Sequence, residues 1–229
     1  METETGSATG GAILHAIASG ATRYNEIQDA IGTDPARPLE RLVEARLVER
    51  IAPVTEDQEK SRRKIYRIAD NFLAFYLGPV RKHRTEIERG HGRRVMTALQ
   101  QELDNYMGAP YEEAFREYLW RQAATGLLGD HVVAIGPWWR SGGQDQIDAV
   151  VLAQPGLTRV PIAVGESKWG RSVSGPRIKA KLAAKAAALT EPVDQLRYII
   201  CARSAVTQAD PETTVITAAD IFPNRHDAS

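Results

Sequence analysis

The sequence predicts an α/β protein preceded by a small α+β module, on three observations. In the C-terminal half, short apolar runs of strand length alternate with helical segments, the order that builds a sheet flanked by helices. In the N-terminal part, three helical segments are followed by two apolar runs around a charged tip. No apolar run approaches the roughly 20 residues needed to cross a bilayer. The 229 residues are therefore expected to fold in water as one large domain or two small ones.

The elements follow in order. Residues 12–19 are short and apolar, Thr22 is placed to cap a helix at 24–31, and 35–45 carries Leu39, Leu42 and Val43 at helical spacing. Three helices in this length predict a helix-turn-helix. The runs 47–54 and 64–68 then close a hairpin over the polar tip 55–63, making residues 10–69 a winged helix-turn-helix. Asp70 can cap a helix over 71–77, Gly78-Pro79 should break or kink it, and 80–88 continues. Another helix is expected at 93–106, so residues 70–107 form a helical linker region. From 108 to 223 the pattern alternates: helix 109–123, runs at 131–135, 146–152 and 160–168, helix 176–189, and runs at 196–202 and 213–217, with 224–229 left as a tail.

Composition narrows the function classes. Lys plus Arg equals Asp plus Glu, 29 of each, so any contact with nucleic acid must use a local patch rather than a global field. The N-terminus lacks the basic and apolar regions of a signal peptide, and the single cysteine, Cys201, suits a reducing compartment; a cytoplasmic protein without a membrane partner is expected. The five histidines show no zinc-ligand spacing with Cys201.

The chemistry concentrates at two strand-like runs. Side chains on a strand alternate, so in the run ending at Lys168, Glu166 and Lys168 share one face while Ser167 points away. Asp148 stands at the start of the run before it. Two carboxylates and a lysine make a site for Mg²⁺ or Mn²⁺ and a water, with the Ser167 carbonyl as a further oxygen. On helix 109–123, Tyr111, Ala114, Phe115, Tyr118 and Leu119 form the apolar stripe. Glu112 sits on its border, within reach of a buried-edge site, whereas Glu113 falls opposite and should face water. The same residues also suit blander roles: Glu112 as a first-turn acid after Pro110, the other three as an ion-pair cluster at strand ends.

With these residues in view, the chain from about Ile13 onward resembles the C-terminal region of a prokaryotic family of signal-transduction-type P-loop ATPases, in which a winged helix precedes a PD-(D/E)XK nuclease-like domain. The resemblance is carried by Leu39-Glu-Arg-Leu42 with Leu47-Val-Glu-Arg50, by Tyr66-Arg-Ile-Ala-Asp-Asn-Phe-Leu-Ala-Phe-Tyr76, by the stretch 108–112, by Trp138-Trp139, and by Ile147-Asp148 with Gly165-Glu-Ser-Lys-Trp169. It implies a mixed restriction-endonuclease-like sheet flanked by helices and a metal-dependent nuclease. Asp148 and Glu166 would be the metal carboxylates, Lys168 the residue assisting the attacking water, and Glu112 the supporting acid. Relatives usually carry an ATPase domain upstream, which is not among these 229 residues, whether because the protein stands alone or because the sequence is a piece of a longer one, so no ATP-dependent function carries over; a separate ATPase is the implied partner of a catalytically inactive version.

Candidate nucleic-acid contacts, with DNA favoured, are Arg37 and Arg41 off the apolar face of the third helix, and Arg62, Arg63 and Lys64 in the wing. These cations equally suit a solvated surface. Trp169 and the pair Trp138-Trp139 can stack on unpaired bases or pack in the core, where alternation should bury one of the pair. Gly165 to Ser172 nearly fits a phosphate loop, but Arg171 stands in place of its lysine and Gly175-Pro176 falls where the helix should already run.

Overall fold

The computed structural model describes residues 2–141, 145–189 and 196–223, with side chains from residue 8 onward; the expected tail at 224–229 lies outside them. No helix among the described residues is long and apolar enough to cross a membrane. The chain divides into two compact units, one of residues 1–52 and 58–106, the other of 53–57 and 107–229.

The first unit opens with α1 (Glu2–Ala18), α2 (Tyr24–Ile31) and α3 (Ala36–Glu44). Helix α1 runs well ahead of the expected start at residue 12: once Ile13 and Ile17 are buried, each residue added to the helix gains a hydrogen bond without a new nucleus. Thr22 does not cap α2. Its side chain yields to Glu26, whose carboxylate accepts the Thr22 and Arg23 backbone N–H groups, both at 2.9 Å, so the cap falls on Arg23. Gly32 closes the helix at φ 72°, a left-handed value glycine adopts without penalty. Ile13, Ile17, Ile27 and Leu39 meet Val48 and Ile68 of a hairpin in one core.

That hairpin is β1 (Val48–Ile51) paired antiparallel with β2 (Ile65–Ile68), Val48 opposite Ile68 and Ile51 opposite Ile65. Strand β1 ends before the expected residue 54. The Ala52 backbone turns to the Gln58 side chain, which both donates to its carbonyl and accepts from its N–H, and Pro53 has no N–H for a ladder. Asp70 caps α4 (Asn71–Phe75), accepting from Leu73 N–H at 2.6 Å. At Gly78-Pro79 the helix neither stops nor simply kinks. Pro79 lacks the N–H an α-helix needs, and the chain passes through a π-helical turn, Tyr76–Val80, and a tighter turn, Arg81–His83, into α5 (Arg84–Glu88) and then α6 (Gly92–Tyr106).

The second unit is a five-stranded mixed sheet in the order β3-β4-β5-β7-β9, with β3 (Val132–Trp138), β4 (Ile147–Ala153), β5 (Val160–Lys168), β7 (Arg197–Ala202) and β9 (Thr213–Thr217). The pairs β3–β4 and β4–β5 are antiparallel; β5–β7 and β7–β9 are parallel. Helix α7 (Gly108–Ala124) covers one face through Tyr111, Phe115 and Leu119, and α8 (Gly175–Ala186) covers the other through Leu182 and Ala186. All seven residues of β4 are buried, as a strand covered on both faces requires. Strand β3 runs three residues past its expected end, through Pro137, which an edge strand tolerates. Three short elements had no pattern long enough to register in the sequence: β6 (Ser172–Ser174), its parallel partner β8 (Ala205–Thr207), and α9 (Ala218–Ile221). Val54, from the segment 53–57, joins the α8-side core and donates its N–H to the Pro137 carbonyl at 2.9 Å.

Candidate active site

Antiparallel pairing sets the site. Ala149 stands opposite Gly165, so one step outward Asp148 of β4 comes beside Glu166 of β5. Both are buried, Asp148 at 4% exposure and Glu166 at 8%. The Ser167 N–H donates to Asp148 Oδ2 at 2.9 Å. Lys168, two residues beyond Glu166 on the same face, places Nζ 2.7 Å from Glu166 Oε1 and 3.7 Å from Asp148 Oδ2, bridging the two carboxylates. From α8, Lys185 Nζ reaches the other Glu166 oxygen, Oε2, at 2.9 Å.

Helix α7 supplies the remaining acid. Arg116 donates to the Asp148 carbonyl at 2.9 Å, fixing that helix against β4, and Glu112 lies one turn earlier. Burial, and next the charge of Asp148, lift the Glu112 carboxyl to about 7, against the pull of Arg116 and Lys168. Asp148 is raised by the same two causes, burial first and then Glu166. For Lys168 burial works downward, but Asp148, Glu166 and Glu112 outweigh it and hold the ammonium above the usual lysine range. Lys168 is therefore an ammonium at neutral pH, and Glu112 changes charge near it.

The donor set can be tested against a divalent cation. Carboxylate oxygens are what a hard cation takes, and the raised carboxyls are groups a cation would relieve. Among the described residues, however, no three His, Cys, Asp or Glu side chains gather at ligand spacing. Lys168 stands where an ion shared by Asp148 and Glu166 would sit. The oxygen chemistry fits Mg²⁺ or Mn²⁺, provided Lys168 moves aside. Ser167, whose carbonyl was expected as a further ligand, lies in register with Cys201 on the β5–β7 ladder, and its Oγ is buried without a hydrogen-bond partner among the described residues.

The other sequence candidates fall differently. Trp169 is partly buried, edge-on to Tyr111 with ring centres 5.2 Å apart, and the Arg203 guanidinium lies 4.9 Å over its ring, so it is packed rather than open for base stacking. Trp138 and Trp139 are both buried, at 6% each, where one was expected outside; β3 ends at Trp138 and the alternation ends with it. Glu113, expected in water, is half-buried. Cys201 is buried, donates to the Tyr111 hydroxyl at 3.2 Å, and burial lifts its thiol to about 11, a structural rather than reactive cysteine. The near-match to a phosphate loop is strand β5 followed by β6, with no cradle opening a helix. In the first unit, Arg37, Arg41 and Arg62 are exposed, while Arg63 and Lys64 are half-buried and the Lys64 ammonium is taken by the Glu59 carbonyl.

Two contributors escaped the sequence reading. Arg116 and Lys185 hold the two carboxylate-bearing strands from opposite helices. A signal for Lys185 was present: Arg177, Lys181 and Lys185 recur every four residues along α8, one stripe of a helix. The stripe lines a groove of about 580 Å³ that also exposes Glu166, Lys168 and Trp169.

Comparison with known proteins finds sequence similarity over part of the chain. Residues 76–180 match DUF234, described as archaeal and bacterial proteins of unknown function, a span holding Glu112, Asp148, Glu166 and Lys168 but not Lys185. An uncharacterised protein of Methanocaldococcus jannaschii is 32% identical over 143 residues, covering 61% of this chain and 31% of the relative. The chain thus spans about a third of the length of the curated relative it matches. No solved structure matches.

Proposed function

We propose that the second unit is a divalent-metal-dependent phosphodiester hydrolase of the PD-(D/E)XK type, and that the first unit is a winged helix that binds DNA. One observation carries the reading: Asp148 and Glu166, eighteen residues apart in the sequence but side by side in the sheet, share Lys168, whose Nζ lies within 3.7 Å of both. Asp148 and Glu166 would hold Mg²⁺ or Mn²⁺, which supplies Lewis-acid polarisation of the phosphate and acidifies water. The Lys168 ammonium orients the water and stabilises charge gathering on the phosphate. Glu112, lifted to about 7, accepts the proton the water loses as its oxygen bonds to phosphorus and the ester oxygen departs. The winged helix would meet phosphates through Arg37, Arg41, Arg62 and Arg63.

The test uses the full chain with Mg²⁺ or Mn²⁺, calorimetry for metal binding, and labelled single-stranded, duplex and branched DNA or RNA for cleavage. Lys168→Ala is expected to lower the cleavage rate at least about 100-fold with nucleic-acid affinity retained. Asp148→Ala should lose metal binding as well. Arg62→Glu with Arg63→Glu should weaken DNA binding and flatten its salt dependence while the metal isotherm stays unchanged. Unchanged activity in Lys168→Ala sinks the proposed site. A second reading, a nuclease-like scaffold that regulates a separate ATPase, is favoured by one feature: each Glu166 oxygen is already held by a lysine. Wild-type protein that binds the cation and cuts no substrate would select it.

A further inference from the structure

The α8 groove has a lopsided lining. Lys168, Arg177, Lys181 and Lys185 line it with one carboxylate, Glu166; Glu166 and Asp148 compensate Lys168 and Lys185, which leaves the charges of Arg177 and Lys181 in excess although the chain as a whole is neutral. Arg177 and Lys181 are exposed and make no hydrogen bond or ion pair among the described residues, unlike Lys179, their neighbour on α8, which binds Asp210 at 3.0 Å. Unneutralised cations gathered at one groove repel each other, and an anion relieves that cost.

Their order matters as much as their number. Arg177, Lys181 and Lys185 advance along α8 in steps of four residues, about 6 Å each, a spacing an extended sugar–phosphate backbone can follow. The inner end of the row is Lys185, which is already bonded to Glu166; the row therefore leads from solvent to the carboxylate cluster. β6 (Ser172–Ser174) and Trp169 line the same groove. Its volume of about 580 Å³ is that of a pocket for a compact guest. A duplex, whose major groove alone is about 12 Å wide, is too broad to descend to carboxylates only 4% and 8% exposed.

We infer that the Arg177–Lys181–Lys185 row of α8 is a track for the backbone of a single nucleic-acid strand, delivering it to Glu166 and Lys168. The inference rests on the hydrolase reading for what happens at the inner end, but the binding it describes needs neither metal nor cleavage.

The test is therefore made with the full chain in chelator, measuring binding of a labelled twelve-nucleotide oligothymidylate and of a duplex of equal length at several salt concentrations. With the winged-helix contacts removed by Arg62→Glu and Arg63→Glu, the protein is expected to bind the single strand at least about ten times more tightly than the duplex. Each phosphate contact adds about 0.7 to the salt slope for single strands, so Arg177→Gln with Lys181→Gln should lower it by about 1.4. Both residues are exposed, and an unchanged melting temperature will show that the double variant folds. An unaltered slope in the double variant, equal affinity for the duplex, or displacement by thymidine monophosphate as effective as by the oligomer would each overturn the inference. Slope loss without cleavage in Mg²⁺ or Mn²⁺ leaves the track standing and removes the hydrolase; cleavage with an unaltered slope does the reverse.

Discussion

The two faces of β5 carry the same backbone to opposite ends. Toward α7 the strand presents Ala163, Gly165 and Ser167; toward α8 it presents Val164, Glu166 and Lys168. The α7 face is closed by van der Waals contact. A Cβ on Gly165 would stand 2.7 Å from Phe115 Cζ and 2.9 Å from Cε1, so the ring lies directly on the glycine backbone. The α8 face, buried at Val164, opens into charge at Glu166, where Lys168 and Lys185 neutralise the carboxylate. A rigid apolar backing thus fixes the strand whose other side holds the ionisable groups, and the difference teaches where stability and chemistry reside.

The largest effect should come from breaking the dry face. Phe115→Ala removes a fully buried ring and is expected to cost about 3–5 kcal/mol. Gly165→Ala overpacks the same contact at about 1–3 kcal/mol. Combining Gly165→Ala with Phe115→Leu should cost less than the two changes summed, as denaturant titration can show. Additive costs would mean the ring does not rest on Gly165.

The charged surroundings of the site should appear in the pH dependence. Glu112 is raised from 4.5 to about 7, so its favourable contribution to folding is complete below about pH 4.5 and is lost as pH rises through about 7. Asp148, raised in the same sense, adds to that slope. At about 1.4 kcal/mol per unit, Glu112 accounts for at most about 3.5 kcal/mol. Glu112→Gln should flatten unfolding free energy between pH 5 and 7 and make the protein more stable than wild type at pH 8. A wild-type stability that rises steadily across this interval, with no difference in the variant, would place Glu112 outside the cluster.

The smallest effect concerns the wet face alone. Lys185→Met leaves Glu166 with Lys168 as its remaining ammonium and should cost about 1–2 kcal/mol, below the range for a buried charge stripped of every partner. Adding Glu166→Gln should recover most of that loss, because the carboxylate needing compensation is gone. A loss that persists in the double variant would assign the effect to packing of the lysine stem.

Strand β5 was legible in the sequence to its end residues, because its apolar run and its Glu-x-Lys ending coincide. So was the meeting of Asp148 with Glu166, which follows from pairing two neighbouring strands. Lys185 was not. The four-residue recurrence that Lys185 shares with Arg177 and Lys181 marks a stripe but not what the stripe faces, and only the burial of Leu182 and Ala186 turns α8 so that Lys185 meets Glu166 while Lys179 meets Asp210. The three-residue strands β6 and β8 pair with each other across thirty residues, and no local pattern announces a partner that remote.

The short segment 53–57 departs from the chain's linear order. It belongs to the second unit while the residues on both sides of it belong to the first, and its Val54 packs against Gly136 at the foot of the α8-side core. A recombination that carried away residues 107–229 alone would leave Val54 behind and a gap in that core. The matched span, which begins at residue 76 inside the first unit, straddles the place where a single cut would fall.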